Sequence, residues 1–214
     1  MRSIHKFLAN ACLGCCALLL LAVPAGAVAD QPADLDAVLA GLSRAAAGIR
    51  TLSSDFVQEK YLAIFKDALV SKGRFYYQKP DRLRWELQSP LVSGFALNGD
   101  RGRRWHGKDG KSESFDIRND PVMKVVAEQL LAWARPDFPW LRTHYRMSLL
   151  GTAPVTLRLE PLFETGGMID HLLIVFAADG SHVVRVEIHD QDGDYTRLNF
   201  THTVVNAQLA PDLF

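Results

Sequence analysis

The sequence predicts an α+β protein, built on one large antiparallel sheet with one or two helices on a single face. Three observations carry that reading. Short segments of alternating apolar and polar residues fill most of the chain, and Asn98–Gly99, Asp109–Gly110, Asp179–Gly180 and Asp192–Gly193 punctuate them; such dipeptides mark tight hairpins. Only two stretches have helical spacing, near residues 33–49 and after Asp120. The segment from Gly73 to Ser89 is a hairpin in miniature: Phe75 and Tyr77, then Leu83, Trp85 and Leu87, alternate with Arg74, Tyr76, Arg82, Arg84 and Glu86 around a break at Pro80–Asp81. One greasy face and one charged face belong to a half-solvated antiparallel sheet, not to the buried strands of a parallel one.

In chain order, the N-terminus comes first. Arg2 and Lys6 are its only charges, an apolar run follows from Ala17 to Val23, and small residues end it at Ala27-Val28-Ala29. That is the basic, apolar and small-residue order of an export signal, with cleavage expected before Asp30. An uncleaved anchor is the alternative, but the run is short for a span of about 20 residues. All three cysteines, Cys12, Cys15 and Cys16, lie in this segment. The exported domain, residues 30–214, is therefore expected to have no disulfide and no thiolate chemistry. Without Arg2 and Lys6 it carries 22 basic against 24 acidic residues. A near-neutral domain offers no bulk charge for nucleic acid and no polybasic surface for anionic lipid.

About 185 residues remain for one domain with a sizeable core. Leu35, Val38, Leu39, Leu42, Ala45, Ala46 and Ile49 recur at helical spacing, so residues 33–49 are expected to form an amphipathic helix. Strands follow over 52–63 and 65–79, then from Leu91 to Leu97 and from Arg103 to His106. Asp120–Pro121 starts a second helix, with aspartate at the N-cap and proline in the first turn. Its apolar residues, from Val122 and Met123 to Leu130 and Trp133, cover more than one stripe, which places it over a greasy surface. Residues 135–140 end it. Strands resume at about 143–150, 155–162, 168–178, 182–190 and 194–204, giving helix, five strands, helix, five strands.

No catalytic set emerges. There is no G-x-S-x-G motif, and His106, His144, His171, His182, His189 and His202 are scattered along the strands with no metal-ligand spacing. Asp190, Asp192 and Asp194 hint at a calcium loop, but Gly193 falls too early for an EF-hand, and an Asp-Gly turn explains the same letters. No enzyme, cofactor or metal site is expected. What stands out is aromatic surface: Phe75, Tyr77, Leu83, Trp85, Phe95, Leu97 and Trp105 share one face in the register read here. Either helices cover them as ordinary core, or the sheet curves around a partly filled pocket that takes an acyl chain.

The stretch from Gly73 to Trp85 resembles the core hairpin of the LolA family, the periplasmic carriers of outer-membrane lipoproteins. There a Gly-x-Leu/Phe-x-x-x-Arg-Pro-x-x-Phe-x-Trp pattern recurs, matched here by Gly73, Phe75, Pro80 and Trp85, with Lys79 and Leu83 at the arginine and phenylalanine positions. Leu52 to Gln58, Asn98–Gly99 with Trp105, and Asp120–Pro121 resemble further family features in the same order. The resemblance implies an incomplete, strongly curved antiparallel β-barrel closed by helices around a hydrophobic cavity. It implies a ligand-binding set of Phe56, Phe75, Tyr77, Leu83, Trp85, Phe95, Leu97, Trp105, Met123, Val126 and Leu130. It implies lipoprotein acyl chains or another lipid as cargo, an inner-membrane exporter and an outer-membrane receptor as partners, and a monomer in the periplasm. Lys79 and Leu83 depart from the pattern. Lys79 stands where the family has an arginine that latches the lid, and a lysine lacks its planar fork. In the register read here, Lys79 points toward the cavity mouth. A relative carrying another lipid, such as a glycolipid or a polyene-type lipid, and a lipid-sensing regulator remain as alternatives.

Overall fold

The computed structural model describes residues 34–107, 111–162 and 169–214. The expected export signal lies outside the described residues, as does the Asp109–Gly110 turn. The unit Ala33–Phe214 is compact.

Helix α1, Leu35–Ala46, starts at Asp34, whose carboxylate accepts from the Asp36 backbone N–H, and it buries Leu39 and Leu42. Strands β1 (Thr51–Tyr61), β2 (Leu69–Gln78), β3 (Arg82–Ser89), β4 (Ser93–Asn98), β5 (Arg101–His106) and β6 (Ser112–Asp116) follow. Helices α2 (Pro121–Ala134) and α3 (Phe138–His144) come next, then β7 (Tyr145–Thr152), β8 (Val155–Pro161), β9 (Ile169–Phe176), β10 (Val183–Asp190) and β11 (Tyr195–Val205). Two elements depart from the expected order. Strand β6 is an additional strand, mostly exposed and without apolar alternation. Helix α3 occupies the segment read as a helix end. Asp137 caps it by accepting from the Trp140 N–H, and Pro139 sits in its first turn. The same signal marks α2, but seven residues are too few to show helical periodicity.

Among the described residues the strands form one sheet in the order β6-β5-β4-β3-β2-β1-β11-β10-β9-β8-β7, antiparallel throughout. It is not closed: β6 and β7 are its free edges, and the segment carrying α2 and α3 links them. The sheet is strongly curved. Phe95 on β4 and Tyr145 on β7 line one cavity, although eight strand spacings separate them. A flat sheet would hold them about 38 Å apart.

Register decides which side chains face inward. Phe75 pairs with Trp85, Trp85 with Phe95, and Tyr77 with Leu83, so these share the concave face. The core lines that face: Phe56, Tyr77, Leu83, Leu97, Leu157, Leu159, Leu172, Ile174 and Val186 are essentially inaccessible. Across the two-residue turn after Asn98, Leu97 pairs with Gly102 and Gly94 with Trp105. Trp105 therefore lies on the convex face, where the Arg84 guanidinium sits 4.7 Å from its ring centre. The expectation that it shares a face with Trp85 and Phe95 fails because a tight turn fixes pairing residue by residue, and a shift of one reverses every side.

Candidate functional site

Four aromatic rings form the floor of the concave face. Phe56 stacks on Trp85 with centroids 4.0 Å apart, and Phe75 and Phe200 meet Trp85 edge-on at 5.9 and 6.3 Å. Such pairs add about 0.5–1.5 kcal/mol each beyond their buried area. The stack needs Gly73, which pairs with Phe56 across the strands; a Cβ there would sit 2.4 Å from the Phe56 ring. Gly102 makes the same kind of slot for Phe115.

Helix α2 lies over this floor. Asp120 Oδ1 accepts from the Met123 N–H at 3.0 Å, while its Oδ2 accepts from Arg104 Nη1 at 3.1 Å. Arg104 also grips Glu113 through two bonds of 3.0 Å, so one guanidinium ties β5, β6 and the helix start together. That bond holds the Glu113 carboxyl below its ordinary range. The C-terminal half of α2 is buried on all sides, from Leu130 to Ala134. The N-terminal half is not: Val122 and Val125 are exposed.

Between helix and sheet lies a cavity of about 460 Å³, lined by Trp85 and Phe95, by Val125, Val126, Gln129, Leu130 and Trp133 of α2, and by Gln58, Tyr145, Ile169, Leu172, Ile188 and Leu198 of the sheet. A second hollow of about 450 Å³ adjoins it at Trp85 and Phe95 and runs past Met123 to Arg104, Glu113 and His106. Each falls in the ~300–1,000 Å³ range of small-molecule sites. The walls are apolar, with the charged groups at one end. The Tyr145 hydroxyl donates to Gln129 Oε1 at 2.6 Å, and burial pushes its pKa up.

Of the expected ligand-binding residues, the structure brings Trp85, Phe95, Val126 and Leu130 to the larger cavity and Met123 to the adjoining one. Phe75 borders a smaller hollow next to Trp85 and Leu130. Phe56, Tyr77, Leu83 and Leu97 are packed behind the walls as core, and Trp105 is on the far side of the sheet. Lys79 is also placed elsewhere. It is exposed, and its Nζ donates to the Ala47 carbonyl at the end of α1, not to α2. The contact between α2 and that turn comes from Arg135, whose Nη1 donates to the Pro80 carbonyl at 3.2 Å. The physical reason is local: the chain leaves β2 at Gln78, so Lys79 no longer follows the alternation of Phe75 and Tyr77.

Sequence reasoning missed Trp133, Gln129, Tyr145, Leu172, Ile188, Leu198 and Phe200. Signals for some existed. Val126, Leu130 and Trp133 are spaced i, i+4, i+7, one face of a helix. The inward parity of β9 to β11 needed the pairing of β1 with β11, which is invisible in a linear sequence. The aspartates at 190, 192 and 194 form a hairpin turn, with the Asp190 N–H donating to the Asp194 carbonyl and Asp194 Oδ1 accepting from Ala63 N–H. Among the described residues no group of three or more His, Cys, Asp or Glu side chains is placed to hold a metal ion.

An open, curved antiparallel sheet with a helix laid over it defines a half-barrel around an apolar cavity. The chain belongs to the family described as outer membrane lipoprotein carrier protein LolA, which it matches over residues 47–214. It is 24% identical over 175 residues to an outer-membrane lipoprotein carrier protein of Methylococcus capsulatus (strain Bath), covering 77% of this chain and 76% of that one. Among solved structures it is similar to MucB, with a TM-score of 0.52 and 17% identity over 86% of this chain. It spans 63% of the MucB chain. A LolA superfamily protein of Nitrosomonas europaea aligns with a TM-score of 0.43 and 6% identity, over 86% of this chain and 98% of that one.

Proposed function

We propose that this protein is a periplasmic carrier that takes up the acyl chains of lipoproteins in its cavity and moves them from the inner to the outer membrane. The observation that supports this best is the 460 Å³ apolar cavity under α2, in a member of a lipoprotein-carrier family. A chain of about 14 methylenes leaving a bilayer loses on the order of 11 kcal/mol, at ~0.8 kcal/mol per methylene. A carrier offsets that with an apolar interior, and it releases its cargo if the cover moves. Helix α2 has the features of such a cover: a buried C-terminal half, an exposed apolar N-terminal half and polar ties at both ends. Export through a cleaved signal ending near Ala29 places the protein between the membranes, where an exporter loads it and a receptor unloads it.

The test is loading and transfer. Protein purified from the periplasm should begin near Asp30, carry acylated cargo identifiable by mass spectrometry, and deliver a labelled lipoprotein to acceptor outer-membrane vesicles. A glycolipid as sole cargo would assign it another lipid. Folded protein that neither retains nor transfers any acyl chain would end the carrier reading.

A further inference from the structure

The antiparallel order puts the β1–β2 and β3–β4 hairpins, the end of β8 and the turn between β10 and β11 at one end of the sheet. Among the described residues nine large apolar side chains outside the helices are exposed, and six of them, Ile64, Phe65, Leu69, Val70, Leu91 and Leu162, lie at that end. Single exposed apolar residues are ordinary on a protein surface, whereas a cluster marks a contact. Four of the six belong to the β1–β2 hairpin, which projects. Lys72 is the first residue of β2 to pair with β3, opposite Ser89, so Leu69, Val70 and Ser71 stand beyond β3, by about 10 Å at ~3.3 Å per residue. The turn is fixed: the Phe65 N–H donates to the Leu62 carbonyl at 2.9 Å, and the Ala63 N–H to Asp194 Oδ1 at 2.7 Å. It holds Ile64 outward at 84% exposure and Phe65 at 54%. The exposed charges of residues 60–72 are Lys60, Lys66 and Lys72 against Asp67, an excess of two positive charges. The near-neutral total of the domain conceals it. Both hollows reach the same end: Gln58, Tyr145, Ile169 and Ile188 of the larger one, and Ser93 and His106 of the other, lie within three residues of the strand ends there.

We propose that this end of the sheet docks on the surface of a bilayer containing anionic lipid, with Ile64 and Phe65 inserted among the headgroups and Lys60, Lys66 and Lys72 against the phosphates. Apolar side chains flanked by lysines bind such an interface by burying hydrocarbon and by attraction to negative headgroups, and a few of each give a reversible contact. The apolar tips stand on separate hairpins, a spaced set that a fluid surface accepts without matching their relief. The positive excess selects anionic lipid. Asp190, Asp192 and Asp194, in the turn beside the tip, limit the contact to the side of β1, β2 and β3. Docking in this orientation brings the nearer ends of both hollows to the lipid, so an acyl chain passing between bilayer and protein has little water to cross. The contact requires the tip and not the cavity, so it stands apart from the carrier reading.

The experiment measures co-sedimentation of the mature protein with protein-free vesicles, either phosphatidylethanolamine with phosphatidylglycerol or phosphatidylcholine alone. The wild type should bind the anionic vesicles, and more weakly as salt rises. Ile64→Ser with Phe65→Ser should weaken that binding about 10-fold or more, since it removes two inserted side chains. Lys60→Gln, Lys66→Gln and Lys72→Gln should each cost about fivefold on anionic vesicles and nothing on phosphatidylcholine. Leu150→Ser, at the opposite end of the sheet, should change nothing. All these positions are exposed, and thermal melts confirm that each variant is folded. A fluorophore sensitive to polarity reads insertion directly: attached through Ile64→Cys it should brighten on anionic vesicles, and attached through Leu150→Cys it should not. Wild type that ignores anionic vesicles, or that binds them as well after the loss of Ile64 and Phe65, would overturn the proposal. Binding through the tip only to native membranes that retain their proteins would assign the tip to a membrane protein, and a dimer lost with the tip would assign it to a second copy; either would also overturn it. Binding of an acyl probe in the cavity is measured separately. Failure of that binding with the tip still docking would end the carrier reading alone, and retained binding with no docking would end this one alone.

Discussion

Phe56 stacks on Trp85 because Gly73, opposite it, has no side chain. The glycine opens the hairpin that is most legible in the sequence, but its role follows only from register. Gly73→Ala should put a methyl 2.1 Å from the Glu86 carbonyl and 2.4 Å from the Phe56 ring. Overpacking of that kind destabilises by about 1–3 kcal/mol. Denaturant unfolding should show the loss, and tryptophan emission should shift as Trp85 loses its stacked partner. Lys79 makes the opposite point. Its position after Tyr77 implied a latch, but its ammonium rests on α1 while Arg135 holds α2 to the Pro80 turn. Lys79→Arg should therefore leave the release rate of a bound acyl probe unchanged. Arg135→Ala should raise it a few-fold, because the contact is exposed and worth about 1 kcal/mol or less. Stopped-flow transfer of a fluorescent fatty acid to vesicles measures both.

Helix α2 is capped by its own sequence and placed by its neighbours. Asp120 followed by proline marks the start, and the structure gives that carboxylate two tasks, the cap to Met123 and the tie to Arg104. Asp120→Ala should lower stability by about 1–2 kcal/mol, the usual worth of an N-cap. Asp120→Asn keeps the cap and loses the charge, so it should lower stability by less; thermal melts of the two variants separate the terms. Which face of α2 is buried was harder to read. Its apolar residues run around the helix, and the reason is visible only in the fold: residues 130–134 are buried, whereas Val122 and Val125 are exposed. Helix α3 was unreadable as a helix for want of length, although Asp137 and Pro139 carried its start signal.

Among the described residues, half-buried His182, in the turn between β9 and β10, and buried Glu187 on β10 give the stability a pH dependence. Burial lowers the pKa of His182 from 6.5, opposed by the nearby Asp179. The folded state therefore favours the neutral ring. Stability is full above about pH 6.5 and falls as pH drops below it, because the unfolded chain takes up the proton first. Glu187 extends the loss to lower pH. Burial raises its pKa, but hydrogen bonds from Arg197 and His189 outweigh burial and hold it below 4.5. Its contribution is present above about pH 4.5 and lost as pH falls through the folded value. Denaturation midpoints should thus decline from pH 7.5 to 5.5, and His182→Gln should flatten that interval while leaving the fall below pH 4.5.

What the sequence determined by itself is local. Alternation, Asx-Gly turns and two capped helical stretches are short-range consequences of backbone geometry and side-chain burial, and they were enough for an α+β protein with one antiparallel sheet. The facing of Phe75, Tyr77, Leu83 and Trp85 in the hairpin from Gly73 to Ser89 could be read, because its two strands are contiguous, but not the end of the first strand at Gln78, which turns Lys79 away. What only the tertiary structure decided depends on pairings between distant segments. The junction of β1 with β11 brings Phe200 and Leu198 beside Phe56 and Gln58. The turn after Asn98 sends Trp105 to the convex face. The curl of the sheet joins β4 and β7 across one cavity. Whether a greasy face becomes core or cavity is a matter of volume: it depends on how far α2 stands from the sheet, which no single residue encodes. At that distance Val126, Leu130 and Trp133 border a hollow instead of closing on the sheet, although the letters of the helix look like ordinary core.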